Sequence, residues 1–187
     1  MSYPYYYLIY KPKGSTTADG LLSYAEVYRD ATEKLLKEYL EEPPRPVFSI
    51  APLLYLLRHY IELQLKGIIK WVVPSYKPPR GKGHDIKLLY EKALHEINEK
   101  YGLEQLGQSD GDCEKFIKTL GETDASLARY PQTVGEEDFE IDGWLQGKIC
   151  TLTDFNDIAG KVIRSLEGVE GFLTMKHETE QETWANQ

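Results

Sequence analysis

Apolar side chains recur at helical spacing in five stretches of the chain. Leu21, Tyr24, Ala25, Tyr28, Ala31, Leu35, Leu36 and Tyr39 form one stripe and predict a first helix over 21–42. Pro43, Pro44 and Pro46 end it, since proline has no amide to donate and constrains the residue before it. A second helix is expected over 47–73, stopped by Pro74, with Pro52 marking either its true start or a kink. Its apolar residues point nearly all round, which suits the central helix of a bundle. The loop 74–83, with three prolines and two glycines, cannot continue it. Asp85 is placed to cap a third helix carrying Ile86, Leu89, Tyr90, Ala93, Leu94, Ile97 and Tyr101, which Gly102 ends. A fourth, less regular helix is expected over 111–129, weakened by Gly121. Thr153 or Asp154 would cap a fifth, whose stripe runs from Phe155 through Val169.

The pattern therefore predicts an all-α fold, a helical bundle of about five helices in one domain spanning 1–187. Between helices four and five, Phe139 and Ile141 alternate before Asp142-Gly143, compatible with a small β-hairpin within 131–150. The Tyr-rich segment 1–20 reads as extended, and the polar tail 172–187 as either frayed or a continuation of helix five. No repeat of solenoid length is present.

Composition narrows the function classes. With 41% hydrophobic residues the 187-residue chain can bury one core, and a formal charge of -8 rules out coating nucleic acid by bulk attraction. Any nucleic-acid contact has to be local. Cys113 and Cys150 are too few for a disulfide framework or a four-cysteine zinc site, and neither has the partners of a nucleophile. The start lacks a basic region followed by an apolar one, and the longest apolar run, 50–57, is too short to span a bilayer. A soluble, cytoplasmic chain with no membrane partner is expected. Gly81 and Gly83 lack the Lys-Ser/Thr of a phosphate loop, and no cofactor or metal is expected.

The candidate chemistry lies on helix two. With Arg58 at zero, Glu62 falls at about 40°, Tyr55 about 60°, Lys66 about 80°, His59 about 100° and Lys70 about 120°. An otherwise apolar helix that gathers these groups on one arc must open it to water, a partner or other polar groups. Intrahelical pairs between Arg58, Glu62 and Lys66 account for part of the arc, at about 0.2–0.5 kcal/mol each. From Lys66 to Lys87 six basic residues, among them Arg80 and Lys82, face Asp85 alone, so this stretch is +5 and the remainder -13. Trp71 and Tyr76 are interleaved with those cations, a mixture suited to phosphates and stacked bases. The ordinary reading is a solvated loop after a helix C-terminus. His84 and Asp85 open helix three, and Arg129-Tyr130-Pro131 close helix four. The short connection suggests that helices two and three are antiparallel neighbours, which puts His84 some turns away from Arg58 unless the chain folds back.

Taken together, Arg58-His59-x-x-Glu62-x-x-x-Lys66, Gly83-His84-Asp85 and Arg129-Tyr130-Pro131 resemble the motifs of bacterial HEPN-like helical domains, over roughly 47–165. The resemblance implies a helical bundle, a homodimer, and a group that includes metal-independent RNases of toxin and antiphage systems beside non-catalytic binders of RNA or nucleotides. RNases of the family carry Arg and His separated by four to six residues. No arginine here meets that spacing, so either His59 or His84 takes the role from another position or the fold binds without cutting. If the chain cleaves RNA, His59 is the expected base, His84 the acid, Arg58 and Arg129 the phosphate anchors and Glu62 the group orienting one of them, with Lys66, Arg80, Lys82, Asp85 and Tyr130 as binding residues. A non-catalytic interaction module is the first rival. The second is a metal-dependent HD-type phosphohydrolase using His59, His84-Asp85 and a later aspartate such as Asp124, Asp154 or Asp157, which the neighbouring cations oppose.

Overall fold

The computed structural model describes residues 17–42, 50–102, 111–122 and 151–185, and five helices make up nearly all of them. They are α1 (Ala18–Glu41), α2 (Ile50–Val72), α3 (Ile86–Tyr101), α4 (Gly111–Glu122) and α5 (Leu152–Ala185). The all-α expectation holds. No strand occurs among the described residues, and the expected hairpin at 131–150, the segment 1–16 and Arg129-Tyr130-Pro131 lie outside them.

Local chemistry sets the helix ends. Thr17 Oγ1 accepts from the Gly20 amide at 3.1 Å to start α1. Pro52 occupies the first turn of α2, where a missing amide costs no intrahelical bond, so it marks the start and not a kink. Asp85 caps α3 by accepting from the Leu88 amide at 3.0 Å, and Gly102 closes it at φ +65° with its amide on Asn98 O. The start of α5 differs from expectation. Its cap is Thr151, whose hydroxyl accepts from the Asp154 amide at 3.0 Å while Asp154 Oδ2 accepts from the Thr151 amide at 2.9 Å. This reciprocal box uses Asp154 from inside the first turn, and Thr153 is not the cap. The tail continues α5 as helix through Ala185.

The helices share one core. Leu53, Leu57, Ile61, Leu65, Ile68 and Ile69 of α2 are all fully buried, meeting Ala25 and Leu36 of α1, Ile86 and Ile97 of α3, Phe116 of α4 and Phe155 and Val162 of α5. Burying such side chains is worth about 1.5–3 kcal/mol each before chain entropy is counted. Gly67 lets α1 approach α2 closely, because a Cβ there would lie 2.6 Å from Leu22 Cδ2.

Contacts fix the directions. α1 runs antiparallel to α2, with Ala18 and Leu22 beside Gly67 and Tyr28 beside His59. α5 runs parallel to α2, since Gln64 meets Glu170 and Trp71 meets His177. α3 also runs parallel to α2: its start is bonded at Arg58 and Glu62, and its end, Lys100 and Tyr101, lines a cavity with Lys70 and Trp71. The antiparallel arrangement expected for helices two and three is thus corrected. A connection of this length has ample reach to run back along the helix it leaves.

Candidate functional site

The connection after α2 is what assembles the site. Glu62 lies ten residues before the end of α2, about 15 Å along its axis. Two successive β-turns bring the chain back to that level. Lys82 N donates to Pro79 O at 2.9 Å, with Gly81 at φ +76° in the third position, where other residues would be strained. Asp85 N then donates to Lys82 O at 3.2 Å, and His84 occupies the third position of this second turn.

His84 Nδ1 comes to 2.8 Å from Glu62 Oε1, the oxygen that Lys66 Nζ reaches at 2.7 Å. Arg58 completes the cluster: one guanidinium nitrogen lies 3.6 Å from Glu62 Oε2, and the other donates to His84 O at 3.0 Å. Arg58 and Glu62 are buried, whereas the His84 side chain is 75% exposed. Burial pushes the Glu62 carboxyl upward, but the hydrogen bond and charge of Lys66, with the bond to His84, outweigh it and hold the group below the usual carboxylate range. An ionised carboxylate only accepts, so the proton on Nδ1 belongs to His84 and the Nε2 edge of the ring turns outward. Two permanent cations against one anion leave the cluster net positive beneath that imidazole.

The structure brings Arg58, Glu62, Lys66 and His84 together, with Asp85 adjoining as helix cap. Arg80 and Lys82 are exposed on the turns that carry His84. His59 goes elsewhere: its ring lies 4.3 Å from that of Tyr28 on α1 and stacks at 6.0 Å with that of Tyr55. Adjacent residues on a helix diverge by about 100°, and that rotation separates His59 from its neighbour Arg58. Arg129 and Tyr130 lie outside the described residues. His95 is exposed on α3, where Glu96 pairs with Lys92, and Cys113 is buried in α4.

Among the described residues no three His, Cys, Asp or Glu side chains are grouped to hold a metal ion, and no helix is long and apolar enough to cross a membrane. The sequence reading missed a second feature, an open cavity of about 630 Å³ at the C-terminal end of α2. Lys100, Tyr101 and His177 line it with Lys70 and Trp71. The continuous helical stripe of α5, followed past Gly171, is the signal that would have brought His177 there. Comparisons with protein-family models, with curated proteins and with solved structures return no match for this chain.

Proposed function

We propose that the chain binds the phosphate of an RNA or a nucleotide on the surface centred on His84. One observation carries this reading: an exposed imidazole is bonded at 2.8 Å to a buried carboxylate inside a cluster of net positive charge. A histidine needed only for solubility requires no such anchor. Arg80 and Lys82, exposed on the turns that carry His84, supply further charge around it, within the stretch that carries +5 in a chain of -8. Arg58 serves here as a positioning residue, since its guanidinium is committed to Glu62 and to the backbone of His84. The HEPN-like resemblance supports the same ligand class.

The test is anisotropy of a short labelled single-stranded RNA at about 50 and about 200 mM salt. Binding is expected at low salt, to weaken as salt rises, and to fall at least about tenfold in His84→Ala. Equal binding by the wild type, His84→Ala and Lys66→Ala would overturn the proposal.

The Glu62–His84 pair also favours a second reading, metal-independent RNA cleavage. A carboxylate that fixes the Nδ1 proton leaves Nε2 to accept one, the arrangement of a general base. In this reading His84 takes the 2′-hydroxyl proton, the 2′-oxygen attacks the adjacent phosphorus, and the 5′-oxygen leaves with a proton from solvent. His84 then replaces His59 as the base. RNA with a single 2′-deoxy position at the cut should resist; cleavage indifferent to His84→Ala excludes this reading and leaves binding alone.

A further inference from the structure

We infer that the cavity at the C-terminal end of α2 seats a nucleobase, so that the site takes an oligonucleotide and not a lone phosphate group. The inference rests on the phosphate reading above and names its ligand more closely.

Three observations carry it. The cavity, about 630 Å³, has the size of a small-molecule site and is walled by the rings of Trp71, Tyr101 and His177. Trp71 and His177 already meet edge to face with centroids 6.4 Å apart, and Tyr101 packs edge to face on Phe172 at 5.6 Å, which holds both large rings against neighbours. Planar faces held in this way are what a base stacks on.

The second observation is charge. Lys70 and Lys100 at the cavity are offset by Asp19 and Glu180, so apart from His177 its lining carries no net charge. That balance suits an uncharged base better than a phosphate, and the carboxylates can accept from the exocyclic amine of cytosine, adenine or guanine. The cluster at His84 has the opposite character, net positive and without a large ring among its members.

The third is register. Lys66 and Lys70 follow Glu62 at steps of four along α2, so two lysines lead from the His84 cluster to the cavity wall. From Glu62 to Trp71 is nine residues, about 13 Å along the axis and about half a turn around it. A mononucleotide is too short to occupy both ends, and a strand of a few nucleotides spans them.

The experiment measures the affinity of cytidylates of increasing length, from the mononucleotide to the tetranucleotide, for the full chain at low salt. In the wild type affinity should rise about tenfold or more by the trinucleotide and then level off. Trp71→Leu and Lys100→Glu should keep the mononucleotide affinity and lose that rise. Lys100 is exposed, so its variant reads the cavity even if Trp71→Leu folds poorly. The trinucleotide, but not the mononucleotide, should quench the part of the tryptophan emission that Trp71→Leu removes. A flat length dependence, or a rise that survives in both variants, overturns the inference. If the mononucleotide still binds and His84→Ala abolishes it, the phosphate reading stands without the cavity; binding at no length removes both.

Discussion

Two polar clusters lie on opposite sides of α2, and they are built differently. On one side Arg58 and Glu62 carry charge into the interior and are completed by Lys66 and His84. On the other, the groups that α2 buries are neutral: Gln64, whose amide donates to Glu170 at 2.5 Å, and Tyr60. The charges there stay at the rim, where Arg29 and Glu167 pair at 2.6 Å with side chains 28% and 39% exposed. Tying α1 to α5 thus takes no buried ion. A buried carboxylate held by two cations costs desolvation that a neutral contact avoids, and here its product is a fixed, exposed imidazole. The contrast separates a packing contact from a candidate site.

The largest expected effect comes from removing the centre of the charged cluster. Glu62→Ala leaves the buried Arg58 guanidinium without its counter-charge and should cost about 3–5 kcal/mol in urea unfolding. Acid should produce the next largest difference between the two sides. The Glu62 pKa lies below its ordinary 4.5 in the folded state, so the stability it contributes is complete above about that pH and is lost as pH falls through the lower folded value. Unfolding midpoints followed from about pH 6 to about pH 3 should drop more steeply in the wild type than in Glu62→Gln. On the opposite side Tyr60→Phe should stabilise the protein by about 1 kcal/mol, because the buried hydroxyl has no hydrogen-bond partner among the described residues. Thermal unfolding reads this, and a loss of similar size would show that the hydroxyl is satisfied. Smallest of all, Glu167→Ala should change stability by less than about 1 kcal/mol and leave RNA affinity unchanged, since its pair with Arg29 is partly exposed to solvent at the rim.

What the sequence made legible was local. The helical stripes located all five helices, Asp85 and Gly102 gave both ends of α3, and the spacing of Arg58, Glu62 and Lys66 put them on one arc. The start of α5 was misplaced by two or three residues, because Thr151, Thr153 and Asp154 all have capping chemistry and only the backbone selects among them. The direction of α3 was not legible, since periodicity carries no information about the path between helices. His59 and His84 illustrate the same limit. The histidine next to Arg58 in sequence packs among tyrosines, and the one 26 residues away shares a hydrogen bond with it. The turn residues Pro79, Gly81 and Gly83 were visible as loop formers, but their use as a fold-back depends on the ionic contact at its end.

That fold-back has a thermodynamic consequence for anything that docks there. Prolines 78 and 79 restrict the backbone, two turn hydrogen bonds close it, and Arg58 holds the carbonyl of His84 from below. The imidazole is therefore preorganised, and an incoming anion does not have to freeze a wandering segment before it gains its contact. Calorimetry of such an association should record little of the unfavourable entropy that accompanies folding upon binding.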